Sequence, residues 1–590
     1  MSSPAENPST ATATVIADEL ARSGVTDVIV APGSRSTALA LTFHNDPRFD
    51  VHTQLDERSA GFVALGYARV TGRVMPIVVT SGSAVAQLHP AVIEADAAGV
   101  PFLILSADRP AELRDTGANQ TIRQASLFGD ATRFSTHVEV LADNPTSNRY
   151  LRSVVVRAVA ESHGGANRPG PVQLNVAFRE PTVPQRDDGR SVVPDMWREP
   201  LDGRADGATW TRMVAPLREP DPAVVSEIAA LCNGASGVIV AGSLDRVDDE
   251  QQLIDAVDQL ADLLGWPVIA EGASMLRRAR AAIPHAGHLL SHTEFAASVP
   301  IDVVLRVGRT GVTAGVETYL KHATRQILVD PWGSVFDPDR QVTHRVVADV
   351  SRFFAALHRH LLQDDSVVAA GYASRFRHAA HTVADVHDKV LAGDDELNEP
   401  STMRVLAGAL HADDLLVVGA SMPIRDFDLF APHPLNLPVQ ANRGASGIDG
   451  FISTVRGAAV ARKQFTVGVC GDVTFLHDIN GLLLRDDDTP VAIVVIDNDG
   501  GAIFSFLPQA AYPEALHAVF TMPHGRDLVA IAAGYGAHAL SVTTKQALGD
   551  ALADARQRRG VTVIRVPSNR DENVALHAAL RTAAHQALDG

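Results

Sequence analysis

Gly471-Asp472-Val473 ends one apolar run, Thr466–Cys470, and Asp497-Asn498-Asp499-Gly500-Gly501 ends a second, Val491–Ile496. A carboxylate and an amide oxygen are hard donors. Magnesium needs only a few of them, because waters or phosphate oxygens fill its remaining positions. Asp472, Asn498 and the Gly500 carbonyl would form such a set, with Gly471, Val473 and Gly501 beside a diphosphate and the glycines letting the backbone approach it. The two side chains stand 26 positions apart. That is the length of one strand-helix-strand unit with a right-handed crossover, which delivers both to the same end of a parallel sheet. A bare Gly-Asp after a strand is also a common turn in α/β proteins, so the rest of the chain must decide.

The first third offers further groups. Ala31-Pro-Gly-Ser34-Arg35-Ser-Thr37 follows a strand and opens a helix, so its N–H groups and Arg35 make an anion-binding corner. Asp56-Glu57-Arg58 precedes a small-residue helix, Ala60–Val70, where a Glu ordinarily serves as partner to the helix dipole. Arg109 and, far downstream, Arg425 add two planar forks suited to carboxylate oxygens.

The elements that must position these groups alternate along the chain. Val28–Ala31, Ile77–Thr80 and Phe102–Ser106 read as strands between helices, and a polar, Pro/Asp/Arg-rich stretch, Pro181–Pro222, reads as a linker. Gly237–Ala241, Pro267–Ala270, Val303–Val307 and Gln326–Asp330 form a second set, followed by a helical stretch, Ser351–His387. The third set is Leu415–Val418, the two metal strands and Val561–Arg565. The expected fold is α/β, with three doubly wound parallel-sheet domains in line: residues 1–190, a linker 191–222, 223–390 and 391–590.

The 590 residues are too many for one core. Acidic residues exceed basic ones, 69 to 51, with no basic cluster, so nucleic acid and anionic membrane are poor partners while small anions remain open to local arginines. Cys232 and Cys470, both in apolar settings, read as core thiols of a reducing compartment. The Ser/Thr/Ala/Pro-rich start, Met1–Thr14, has no leader pattern, and no long apolar window follows. A cytoplasmic protein without membrane insertion is expected.

The Gly-Asp…Asn spacing resembles the thiamin-diphosphate motif, with Val473 where Gly is usual. Ala31–Ser36, Asp56-Glu57-Arg58, Thr80-Ser81-Gly82-Ser83-Ala84, Ala107-Asp-Arg-Pro110, Gly117-Ala-Asn119-Gln120, Gly419-Ala-Ser421 with Arg425, and Asn442–Gly450 follow in order. Together they resemble the 2-succinyl-5-enolpyruvyl-6-hydroxy-3-cyclohexene-1-carboxylate synthase family. The likeness runs from about Val15 to Leu576 and is thin in the middle. Ser83 stands where Thr is frequent and keeps the hydroxyl; Ala314 stands where many relatives carry a base, with Arg309 nearby.

The resemblance implies thiamin diphosphate and magnesium, or manganese in its place. It also implies pyrimidine-binding, central and diphosphate-binding domains. The substrates would be 2-oxoglutarate and isochorismate. Glu57 would face the aminopyrimidine ring and promote proton loss from the thiazolium carbon. Gln120 and Arg425 would join it as catalytic groups. Ser34, Arg35, Arg109, Asn119, Gln120, Ser421, Arg425, Phe504 and Leu507 would contact substrate. Ser81, Gly82, Ser421 and Ile448 would contact cofactor, Ile448 as an apolar wedge. His477 and Asp478 read as a cap on the next helix. A homodimer, or dimer of dimers, would share active sites between chains, Glu57 of one facing the metal residues of the other. Two alternatives stay open: an acetolactate-synthase-like carboligase, which would not need these arginines, and a non-catalytic α/β binding protein.

Overall fold

The computed structural model describes residues 7–165, 167–183, 195–245, 247, 249–309, 311–363, 371–393, 395–485 and 488–590. The first six residues of the N-terminal segment and positions 191–194 of the expected linker lie outside them.

Among the described residues three sheets form, and every pairing between their strands is parallel. The first holds β1 (Asp27–Val30), β2 (Asp50–Thr53), β3 (Ile77–Val79), β4 (Phe102–Asp108), β5 (Phe134–Val138) and β6 (Pro171–Ala177), in the order 2-1-3-4-6-5. The second holds β7 (Gly237–Ala241), β8 (Val268–Ala270), β9 (Val303–Val307), β10 (Arg325–Val329) and β11 (His344–Val346), in the order 11-10-9-7-8. The third holds β12 (Leu415–Val418), β13 (Val439–Gln440), β14 (Thr466–Gly471), β15 (Val491–Asp497), β16 (His538–Ser541) and β17 (Val561–Pro567), in the order 13-12-14-15-17-16. Counted from its own first strand, the third sheet repeats the order of the first. Both are open sheets whose chain reverses direction between the first and third strands, and ligands gather at the carboxyl ends beside such a reversal.

Buried strands such as β15 are apolar up to their last residue, there Asp497, as helices on both faces require. β6 carries polar residues within its length. Its Gln173 and Asn175 are buried but satisfied: Asn175 Nδ2 donates to Asp108 Oδ2 at 2.7 Å, and Gln173 Nε2 donates to Ser106 Oγ at 3.0 Å.

The chain divides into two compact units. One joins residues 1–216 with 442–463 and 477–489; the other joins 217–441, 464–476 and 490–590. In the first, the helix Glu57–Thr71 crosses the helix Phe451–Arg462 at glycines: a Cβ on Gly66 would strike the Thr454 carbonyl, and one on Gly457 would strike that of Val63. Part of the polar stretch after β6 is ordered here as a helix, Asp195–Asp202. The fully buried Arg152 donates to the Pro200 carbonyl at 2.7 Å and the Leu201 carbonyl at 2.8 Å, holding that helix down. In the second unit the helical stretch consists of Val350–Gln363 and Tyr372–Leu391. Among the described residues no helix is long and apolar enough to cross a membrane. Both cysteines are buried and unbridged.

Candidate active site

In the first unit the sequence-selected residues collect at the carboxyl ends of β1 to β4. Asp56 caps the helix Glu57–Thr71, its Oδ1 accepting from the Arg58 N–H at 2.9 Å, which leaves Glu57 as the first helical residue. Asp56 Oδ2 accepts from Asn480 Nδ2 at 2.8 Å, and Arg58 donates to the His477 carbonyl at 2.8 Å. Glu57 is half-buried at the positive end of that dipole.

Asp478 does not cap the helical turn that follows it. That turn, Ile479–Leu483, has no side-chain cap, whereas Asp478 Oδ2 accepts from the Ser453 N–H at 2.7 Å and so caps the helix Phe451–Arg462 instead. Burial pushes its carboxyl up to about 6.

Arg109 is buried and donates through one terminal nitrogen to Ser81 Oγ and through the other to the Asn119 carbonyl at 2.6 Å. Ser81 Oγ donates to the Gln120 carbonyl at 3.1 Å, and Gln120 Nε2 returns a bond to the Ser81 carbonyl at 3.1 Å. Gly82 holds φ +87°, and a Cβ there would press on Gln120. Ser81, Gly82, Arg109, Asn119 and Gln120 thus form one cluster, with Asn119 and Gln120 exposed at its rim. Arg35 donates to the Phe178 carbonyl at 3.0 Å and pairs with the exposed Glu180 at 3.1 Å. Burial first, then the Arg35 charge, lower the pKa of Arg109. A neighbouring anion would relieve that repulsion. Ser34 is exposed beside Arg35.

Ile448 lies half-buried in the Asn442–Gly450 loop. That loop is pinned by Glu94, which sequence reading missed. The Glu94 carboxylate accepts N–H bonds from Gly444 at 2.9 Å, Ala445 at 2.6 Å and Ser446 at 3.3 Å while pairing with Arg69 at 2.8 Å.

In the second unit β14 and β15 pair from Thr466 beside Val491 to Gly471 beside Ile496, so Asp472 and Asn498 leave adjacent strands at one edge. Asp472 is buried; its Oδ1 accepts from the Val473 N–H at 2.6 Å and its Oδ2 from the Gly500 N–H at 2.8 Å. Asn498 is also buried. Its Nδ2 donates to Glu399 Oε1 at 3.0 Å, while its Oδ1 has no hydrogen-bond partner among the described residues. Gly500 sits at φ +128° with its Cα against the Thr521 carbonyl, and Gly501 donates to that same carbonyl at 2.8 Å. Only glycine fits this turn.

Two further groups complete the corner. His524 Nε2 lies 3.2 Å from Asp472 Oδ2, and Asp497 offers Oδ1 to the same space; one ligand atom of each of the three residues lies within 4.8 Å of the others. Asp497 was visible in the motif but unassigned, and His524 carries no local signal. Burial pushes the Asp472 carboxyl up to about 6, the shift a dication would reverse. An unpartnered buried amide oxygen, a buried carboxylate and a glycine turn fit magnesium with a diphosphate.

Ser421 follows β12 with φ +74° and ψ −131°, and its carbonyl accepts from Arg425 at 2.6 Å. Phe504 stacks obliquely on Phe520 at 5.3 Å, and Leu507 is exposed. Val473 lies partly exposed at the start of the helix Asp472–His477. In the middle sheet's unit, Ala314 opens the helix Ala314–Leu320, and Arg309 lies over the Phe336 ring at 4.7 Å.

Comparison with known families agrees with this arrangement. Residues 10–127 match the N-terminal TPP binding domain of thiamine pyrophosphate enzymes, 206–418 match the middle domain, and 442–566 match the C-terminal TPP binding domain. The chain is 40% identical to the 2-succinyl-5-enolpyruvyl-6-hydroxy-3-cyclohexene-1-carboxylate synthase of Thermobifida fusca, over 99% of this chain and 100% of that one. It is 37% identical to the synthase of the same name from Saccharopolyspora erythraea, with 99% and 100% covered, and 37% identical to that of Chlorobaculum parvum, with 96% and 95% covered. With its three matched domains and its near-complete coverage of these relatives, the chain belongs to the 2-succinyl-5-enolpyruvyl-6-hydroxy-3-cyclohexene-1-carboxylate synthase family of thiamin-diphosphate-dependent enzymes.

Proposed function

We propose that the chain decarboxylates 2-oxoglutarate and adds the succinyl unit in a 1,4 sense to isochorismate, giving 2-succinyl-5-enolpyruvyl-6-hydroxy-3-cyclohexene-1-carboxylate for menaquinone biosynthesis. The observation that carries this reading is the buried corner at the ends of β14 and β15, where Asp472 and the unpartnered Asn498 Oδ1 meet a glycine turn. Asp472, Asn498 and the Gly500 carbonyl hold magnesium, or manganese, beside Gly471, Val473 and Gly501. Thiamin diphosphate, when bound, supplies the electron sink that takes the pair released as carbon dioxide leaves.

The protein's own groups do the rest. Glu57, at a helix start, holds the proton exchanged with the cofactor's ring. Arg35, Arg109 and Arg425 receive carboxylate oxygens, with Ser34, Asn119, Gln120 and Ser421 as further hydrogen-bonding groups. Ile448, Phe504 and Leu507 keep water out. The functional form is a cytoplasmic homodimer or dimer of dimers with shared active sites; the two unbridged thiols support a reducing compartment.

Asp472→Ala tests the metal corner: it should fold normally yet retain little thiamin diphosphate at low magnesium, and normal retention would refute the assignment. Carbon dioxide release from 2-oxoglutarate, measured with and without isochorismate, tests the reaction. Consumption of a 2-oxo acid acceptor instead would point to a different carboligase. Tagged mixed dimers of Glu57→Gln with Asp472→Ala should regain activity if sites are shared, and should stay inactive if they are not.

A further inference from the structure

Asn498 can offer a metal its oxygen only if something fixes which end of the amide points inward. Glu399 meets the other end. Its Oε1 accepts from Asn498 Nδ2 at 3.0 Å and from Ser568 Oγ at 2.9 Å, and the side chain is buried at the first turn of the helix Glu399–Ala409. Ser568 in turn donates its N–H to the Asp497 carbonyl at 2.8 Å. Glu399 therefore ties together the loops that leave two adjacent strands, β15 and β17.

An oxygen that already accepts two bonds has nothing to donate. Turning the amide over would set Asn498 Oδ1 against Glu399 Oε1, an oxygen that already accepts from Ser568 Oγ, and would forfeit the bond from Nδ2. The observed orientation leaves Oδ1 as the end without a partner.

We propose that Glu399 is a positioning residue that locks the Asn498 amide with its oxygen turned toward the metal. This rests on the reading of Asn498 as a metal ligand. Groups that orient a ligand from behind commonly govern metal affinity by about 10- to 100-fold.

The test uses the full chain stripped of metal and cofactor, saturated with thiamin diphosphate and titrated with Mn2+, free ion being read by electron paramagnetic resonance. Glu399→Met, which has no strong acceptor, should weaken Mn2+ binding by about 10-fold or more, whereas Glu399→Gln, which keeps an acceptor oxygen, should stay within about threefold of the native protein. In the Asn498→Ala background Glu399→Met should cost nothing further, because the group it orients is gone. Native affinity in Glu399→Met beside weakened binding in Asn498→Ala overturns the inference, and so do additive losses in the double variant. Native affinity in Asn498→Ala overturns the ligand reading itself. Should Glu399→Met fail to fold by circular dichroism, Glu399→Ala decides by the same measure: Mn2+ binding weaker by about 10-fold or more is expected, and native affinity overturns the inference.

Discussion

Gly66, in the middle of the helix Glu57–Thr71, lies so close to Thr454 that a Cβ there would collide with the Thr454 carbonyl oxygen. The reciprocal contact of Gly457 with Val63 makes the crossing a backbone-to-backbone one. The helix whose first residue is Glu57 is thereby held at one height. Gly66→Ala should lower stability by about 1–3 kcal/mol, because neither backbone can withdraw without moving its helix. Gly408→Ala, in the helix Glu399–Ala409 with nothing within 4 Å, should instead gain up to about 1 kcal/mol from helix propensity. Thermal melts followed by circular dichroism separate the two, and equal shifts would show that the crossing is not tight.

The sequence was most legible where chemistry and strand ends coincide. Apolar runs such as Val491–Ile496 must be buried strands, and the Asp and Asn that follow them must emerge at one edge, as they do. β6 stayed hidden because Gln173 and Asn175 are polar, and only their partners on neighbouring segments make their burial tolerable. β2 and β5 are short and only partly buried, so their periodicity is weak. Glu399 carries no local signal beyond its place at a helix start after Asn398, and its duty toward Asn498 depends on a contact across 99 positions. His524 and Glu94 likewise act through folded proximity alone. Asp478 was read as a local cap because sequence offers only the next helix; the fold presents a different one.

Asp478 also sets a pH dependence. Its carboxyl is raised from 3.8 to about 6 by burial, so the fold prefers the protonated form. The resulting stabilisation is full below about pH 3.8, declines as pH rises and is lost above about 6, where the buried carboxylate costs up to about 3 kcal/mol. Asp478→Asn keeps an oxygen for the Ser453 N–H and cannot ionise. Calorimetry should find its midpoint, relative to the native protein, rising between pH 4 and pH 7 and level beyond. A difference that stays constant with pH would mean that Asp478 titrates normally.

Arg109 has a structural duty besides any substrate contact, since both terminal nitrogens are engaged with Ser81 and Asn119. Lysine has one nitrogen on a flexible stem and cannot bridge the two. Arg109→Lys and Arg109→Ala should each lose about 1–3 kcal/mol, with faster amide exchange across residues 117–124. Native melting and exchange beside poor turnover would leave Arg109 with substrate contact alone.

Ser421 stands in a backbone region that side chains avoid, φ +74° with ψ −131°, held there in part by Arg425 donating to its carbonyl at 2.6 Å. Such a conformation costs about 1–3 kcal/mol in a non-glycine residue and persists where the surroundings over-determine it. Two substitutions separate the strain from the hydroxyl. Ser421→Gly removes both, so its melting midpoint should rise by the equivalent of about 1 kcal/mol or more, provided the hydroxyl contributes nothing to folding. Ser421→Ala removes only the hydroxyl and should melt near the native temperature. If the hydroxyl serves the reaction, the two variants should lose 2-oxoglutarate decarboxylation to a similar extent despite their different stabilities. If the rigid backbone matters more, Ser421→Gly should be the slower enzyme although it is the more stable protein. Equal melting of the two variants would mean that no strain is stored at Ser421, and native turnover in both would remove it from the active site.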